Sequence, residues 1–181
     1  MVIFLIGALV VPLLIVVSIY NGLISKRNMA QNAFSSIDVM LKRRHDLIPN
    51  LVEVVKGYAA HEKEVFDSVT KLRNQAVNSS TPIAARFEAE QQLTPQLGRL
   101  IAVAESYPEL KANEQFMMLQ RNLTESEEQI AASRRAYNAA VLQLNNAVDT
   151  FPSNIFAKQF GIKRHGFYSF DGPPDQSVNF N

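Results

Sequence analysis

His45, His61 and His165 are the three histidines of this 181-residue chain, and any acid–base or metal chemistry would start from them. His61 opens "HEKEV", the first half of a zinc-protease signature in which two histidines four residues apart hold the metal. The second histidine would fall at position 65, which is valine, so the stretch describes a solvated helix face. His45 with Asp46 and Asp38 makes no better case for a metal site. Glu125, Glu127 and Glu128 form one acidic cluster, and Glu62 and Glu64 another. Glu125 and Glu128 share a helix face, yet no histidine accompanies them, and a solvated acidic face explains them better than a catalytic pair. Neither G-x-x-x-x-G-K-[ST] nor G-x-G-x-x-G nor G-x-S-x-G occurs, so phosphate cradles and nucleophile elbows are missing. No catalytic, cofactor-binding or metal-ligating residue is assigned on these grounds. A non-enzyme without cofactors is the expectation.

Composition narrows the class further. With 18 basic and 17 acidic residues the net charge is +1, which leaves no electrostatic footprint for nucleic acid. The lack of cysteine excludes disulfides, zinc–cysteine sites and thiol catalysis. Only seven glycines and no tryptophan suit a helical chain better than an all-β one.

The elements that would position any surface begin with "MVIFLIGALVVPLLIVVSIYNGLISKR", which carries no charged side chain before Lys26. As a helix, residues 2–20 span roughly 28 Å, close to the hydrocarbon thickness of a bilayer. Val2, Phe4, Leu9, Leu14 and Val17 are its apolar surface, Pro12 is tolerable in a membrane helix, and Tyr20 sits where the interface begins. A cleaved signal peptide would need a basic start and a small-x-small site, and "SIYNGLIS" offers neither. Residues 1–25 are therefore read as a single-pass anchor in the lipid bilayer. Lys26 and Arg27 follow it directly and set the orientation, with the N-terminus outside and the rest cytoplasmic.

From Phe34 the steps of three and four run through Ile37, Leu41, Arg44, Ile48, Leu51, Val55 and on to Ala76, the spacing of an amphipathic helix. Because the phase survives position 49, one helix over about 26–76 is expected, kinked at Pro49, where the carbonyl of His45 loses its amide partner. The alternative is a break with Asp46 capping a second helix. Thr81 and Pro82 predict the start of a helix over 82–106, and Asn113 the cap of another over 113–149. The fold class expected is thus all-α: a transmembrane helix continuing into an antiparallel bundle over 26–151, with three long helices. Residues 152–181 should form a short helix closed by Gly161 and an irregular aromatic tail. Phe156, Phe160, Phe167, Tyr168, Phe170 and Phe180 are the tail's candidates for docking on the bundle or on a partner.

A first helix of roughly 75 Å beyond the membrane exceeds a second of roughly 37 Å, and the third should head away from the membrane again. Phe34, Ile37, Leu41, Arg44 and Ile48 then form a stalk seam without an internal partner, to be covered by the tail or by neighbouring copies. Self-association into a homo-oligomer is the favoured remedy. Arg44 in this seam is either a register device paired with a carboxylate of another helix or chain, or a side chain snorkelling at the wet margin.

The segments "YNGLISKRN", "SSIDVMLKRRHDLIPNLVEVVKGYAAHEKEV", "LGRLIAVAESYPELKANEQFMMLQRNL" and "RRAYNAAVLQLNNAVDTFPSNIFAKQFG", with the aromatic tail, resemble the LemA family of bacterial membrane proteins along essentially the whole chain. That resemblance implies one N-terminal membrane helix in the bacterial inner membrane and a cytoplasmic helical bundle. It implies no catalytic residues, and a neighbourhood of membrane metallopeptidases or other membrane-anchored proteins. The expected function is a membrane-tethered, self-associating scaffold with a membrane-protein partner. The alternatives are membrane remodelling through clustered anchors, or a metal-dependent enzyme or accessory subunit of a membrane peptidase.

Overall fold

A computed structural model describes residues 2–168, with side chains described from Val10 onward except that of Ile83. The described residues form six helices and no strand: α1 (Val2–Lys56), α2 (Lys63–Val77), α3 (Ile83–Glu105), α4 (Pro108–Lys111), α5 (Glu114–Asp149) and α6 (Ser153–Gln159). The chain is all-α, as its periodicity requires. It divides into two compact units, one of residues 2–35 with 134–168 and one of residues 36–133, and α1 and α5 each belong partly to both.

The expected helix over 26–76 is corrected. α1 continues through Pro49, ends at Lys56, and is followed by a turn before α2 begins at Lys63. Its last bonds tighten there, with Tyr58 N–H reaching the Val55 carbonyl at 3.0 Å. The apolar phase survives the turn because α1 and α2 both face one core: Ile48, Leu51 and Val55 come from α1, and Phe66, Val69, Leu72 and Ala76 from α2. Periodicity reports which face is buried and is blind to the direction of the chain. Arg73 on α2 lies against His45 on α1, so the two helices form an antiparallel hairpin.

That contact resolves the vacancy left by Pro49. Proline has no amide to offer the carbonyl four residues back, which is that of His45. Arg73 Nε donates to this oxygen at 3.3 Å, so α2 satisfies from outside what α1 lacks inside.

Within residues 36–133, α3 returns beside α2, with Arg86 Nε donating to the Ala76 carbonyl at 3.1 Å. Pro82, not Thr81, takes the position before the first residue of α3. Asn113 caps α5 as expected: its Oδ1 accepts from Phe116 N–H at 3.0 Å, and its Nδ2 donates to the Tyr58 hydroxyl at 3.2 Å. The core joins Leu93, Leu97 and Leu100 of α3 to Phe116, Leu119 and Leu123 of α5. In the other unit Phe34 of α1 meets Tyr137 of α5 edge-on, with centroids 5.5 Å apart. α6 ends in a Schellman turn, with Gly161 at φ 67°, Ile162 N–H bonded to the Ala157 carbonyl and Ile162 buried.

The bare stalk seam is corrected as well. Ile37 and Ile48 are each 1% exposed, and Phe34 and Leu41 are half-buried. Two features explain this. Turning back at Lys56 removes about 30 Å from the expected first helix, and α5, about 54 Å long, runs antiparallel to α1 in each unit instead of away from it.

Arg73→Ala should lower unfolding free energy by about 1 kcal/mol in the native background. In a Pro49→Ala background, where residue 49 regains an amide, it should cost clearly less. Denaturant titration of the four proteins followed by circular dichroism tests this; equal costs in both backgrounds would contradict the pairing.

Candidate functional site

The strongest concentration of charge lies inside the bundle of residues 36–133. Arg44 stands at a seam position where an apolar side chain would normally be, and it is 1% exposed. Its Nη1 donates to Glu127 of α5 at 2.7 Å and to the Thr94 hydroxyl of α3 at 3.1 Å. Its Nη2 donates to one carboxylate oxygen of Glu90 on α3, and the other oxygen of Glu90 bonds His45 Nε2. Neighbouring Arg43 pairs with Glu125 at 3.2 Å on the exposed side. One guanidinium thus ties three helices together, and it is the register device that one of the two sequence readings described; the wet-margin reading is not what the fold contains.

Electrostatics follow from this geometry. Burial alone would raise the Glu90 carboxyl, but the His45 hydrogen bond and the Arg44 guanidinium outweigh it and hold the carboxyl below its ordinary range. Glu125 and Glu127 are accordingly ion-pair partners of the basic cluster, which corrects their reading as a merely solvated face. Among the described residues no group of three or more His, Asp and Glu side chains is arranged to hold a metal. The guanidinium occupies the centre where a cation would have to sit. Chemically, the arrangement can lock helices; it presents no nucleophile beside a base.

A second constellation binds the segment after α6 to α5, within the unit of residues 2–35 and 134–168. Asn145 holds His165 by both backbone groups, donating to its carbonyl and accepting from its N–H at 2.9 Å each. Asn138 does the same for Tyr168, at 3.0 and 2.7 Å. Tyr137, fully buried, donates its hydroxyl to the Gly166 carbonyl at 3.0 Å. Arg134 lies over the Tyr168 ring at 4.9 Å, and Arg164 bridges Asp149 at 3.0 Å. Burial pushes the His165 imidazole below its ordinary range; the Lys163 carbonyl opposes this and Arg27 adds to it. Sequence reasoning named the tail aromatics but missed Asn138 and Asn145. Their signal was two asparagines, poor helix formers, two turns apart on one long helix.

The other expected site residues fall as follows. Pro12, Leu14, Val17 and Tyr20 lie exposed on α1, with Leu14 61% exposed. One helix, α1, is long and apolar enough over its first part to cross a membrane. Val2, Phe4 and Leu9 are in α1, but their side chains lie outside the described ones, as Phe170 and Phe180 lie outside the described residues. Lys26 and Arg27 are half-buried. Phe160 meets Tyr20 edge-on at 4.7 Å, Phe156 and Tyr168 are half-buried, and Phe167 is exposed.

Arg44→Met leaves Glu90 buried without its main partner and should cost about 3–5 kcal/mol of stability. Replacing Arg44, Glu90 and Glu127 together by apolar residues of similar volume should cost much less, by the same denaturant titration. The pH dependence has a definite sign. Glu90 binds protons less readily folded than unfolded, so its contribution is present above about pH 4.3 and is lost below it. His165 binds protons less readily folded than unfolded, so its contribution is complete above about pH 6.5 and falls as pH drops below that value. Thermal unfolding between neutral and acid pH should therefore show two losses; His165→Gln should flatten the first and Glu90→Gln the second.

Comparison with known proteins places this geometry. The chain is 26% identical over 174 residues to the magnetosome protein MamQ of Magnetospirillum gryphiswaldense, a match covering 82% of this chain and 64% of that protein. It is 28% identical, with the same coverage, to magnetosome protein MamQ 2 of Paramagnetospirillum magneticum. To the LemA protein of Metamycoplasma hominis it is 28% identical over 142 residues, covering 78% of this chain and 65% of that protein. The chain thus spans just under two thirds of the length of each of these relatives. A sequence model of the LemA family matches residues 33–180, which begin after the apolar segment, and the chain belongs to the LemA family.

Proposed function

We propose that this chain is a non-catalytic, membrane-tethered scaffold of the bacterial inner membrane, with its N-terminus outside and its helical bundle in the cytoplasm, offering that bundle to a membrane-protein partner. The observation that carries the reading is the double use of α1. One unbroken helix begins as an uncharged surface, exposed at Leu13, Leu14 and Val17, and ends as a core element of a helical bundle. The charged side chains of the bundle interior are spent on one another, which supports a structural use over a catalytic one. The names of the relatives specify a place, the magnetosome, or the family, and no reaction.

The cytoplasmic orientation is supported by Lys26 and Arg27, which follow the uncharged run directly, because positive charge beside a membrane helix favours the cytoplasmic side. The scaffold self-associates in this reading, as the exposed apolar surface of α1 at Leu13, Leu14 and Val17 supports; Ile37 and Ile48, covered within the chain, lend it no support.

The chain has no cysteine, so a single introduced thiol is unique. Met117→Cys, at an exposed position, should react with a membrane-impermeant maleimide only after the inner membrane is opened. Labelling in intact spheroplasts would overturn the orientation. Oxidation of Leu14→Cys in native membranes should give disulfide dimers while exposed Val39→Cys gives none; monomer alone at both positions removes self-association from the reading.

A further inference from the structure

We propose that the turn after α5 and helix α6 form a foot that docks on the anionic surface of the same bilayer that α1 crosses; this rests on the membrane reading above. Three observations converge on it, all within the unit of residues 2–35 and 134–168.

The first is level. Phe34 packs against Tyr137, and α1 and α5 are antiparallel there. Tyr20 lies about 21 Å back along α1 from Phe34, and Phe151 about the same distance on from Tyr137, just past the end of α5. The turn therefore sits at the height of Tyr20, where the uncharged run gives way to the interface. The ring contact between Tyr20 and Phe160 fixes α6 at that height independently.

The second is an exposed apolar face. Phe151 is 74% exposed, Ile155 57% and Phe160 44%, while Ala157 turns inward and is buried. Ile155 and Lys158 are three residues apart on α6, and Phe151 lies in the turn just before it, so exposed apolar side chains and a cation come together at this end of the unit. Side chains of this kind lie at the boundary between headgroups and acyl chains in interfacial helices.

The third is charge. The near-neutral balance of the whole chain conceals a division. Residues 2–35 and 134–168 hold seven lysines and arginines against one carboxylate, Asp149, which Arg164 already bridges at 3.0 Å. Residues 36–133 hold more carboxylates than basic side chains. Exposed Lys158 and Lys163 thus lie in a basic field beside the anchor, and the chemistry that complements exposed aromatic and aliphatic groups rimmed by cations at this height is an anionic lipid surface.

The chain has no tryptophan, so one introduced indole reports on one site. The full chain is placed in lipid nanodiscs carrying brominated acyl chains, with Phe151→Trp as probe, Val11→Trp as anchor control and Met117→Trp as water control. In discs containing phosphatidylglycerol, Phe151→Trp should shift to the blue and be quenched about twofold by the lipid. Lys158→Glu with Lys163→Glu should reverse most of that quenching, as should neutral phosphatidylcholine discs. Val11→Trp quenched with Phe151→Trp unquenched sinks the foot and leaves the anchor. Val11→Trp unquenched sinks the anchor reading and the foot with it. A blue shift that needs no lipid quencher and grows with protein concentration assigns the face to a second copy and overturns the proposal, as does quenching indifferent to lipid charge and to both lysines.

Discussion

A positive charge inside an apolar seam constrains the bundle of residues 36–133 more tightly than any of its apolar contacts. Hydrophobic burial is non-directional, so the buried Leu93, Leu97 and Leu100 of α3 specify a register less sharply than a hydrogen-bonded charge does. Arg44 is not permissive. Its guanidinium has to meet Glu90 and Thr94 from α3 and Glu127 from α5 at once, and Glu90 has to meet His45 with its remaining oxygen. A slip of one residue moves a side chain by 1.5 Å along the helix and about 100° around it, enough to strand both carboxylates. Buried ion pairs add little net stability compared with apolar packing, but their geometry discriminates between registers. Arg43 against Glu125, and Arg73 at the carbonyl that Pro49 leaves without an amide, add two further polar ties in the same unit.

The unit of residues 2–35 and 134–168 is held by different means. There the extended segment after α6 has backbone groups that need partners, and α5 supplies them from side chains. Asn138 and Asn145 each close a two-point bond on one tail residue, and the Tyr137 hydroxyl takes the Gly166 carbonyl between them. Tyr137 also packs on Phe34, so one buried ring serves both the helix pair and the clasp. The Schellman turn at Gly161 aims the chain back along α5, which is why a glycine stands where φ is positive. A helical protein has thereby fastened an irregular segment without adding a strand.

Local rules were enough for much of this. Helix content, the Asn113 cap, the Gly161 stop and the uncharged opening run all follow from interactions within a few residues, and the cap and the stop lie inside the stretch that matches the family. The reversal after Lys56 did not follow. Gly57 and Tyr58 give a weak break signal, and the apolar spacing continues through the turn because α1 and α2 face a common core. From that error came the bare seam and a third helix heading the wrong way. Glu125 and Glu127 were legible as charges but not as partners, since their cations lie far away in sequence and only the antiparallel return of α5 brings them together.

What the sequence by itself determined, then, is much of what is short-ranged in cause: the all-helical class, which face of each helix is apolar, the Asn113 cap, the Gly161 stop, and which segment is apolar enough to enter a bilayer. Tertiary structure alone decided the direction in which α2 and α5 run, the pairing of Arg44 with Glu90 and Glu127, and the capture of the tail by two asparagines. The physical reason is that amphipathic periodicity encodes burial without encoding a partner. Partners are chosen when the loops close and the buried charges and orphaned backbone groups must all be satisfied at once.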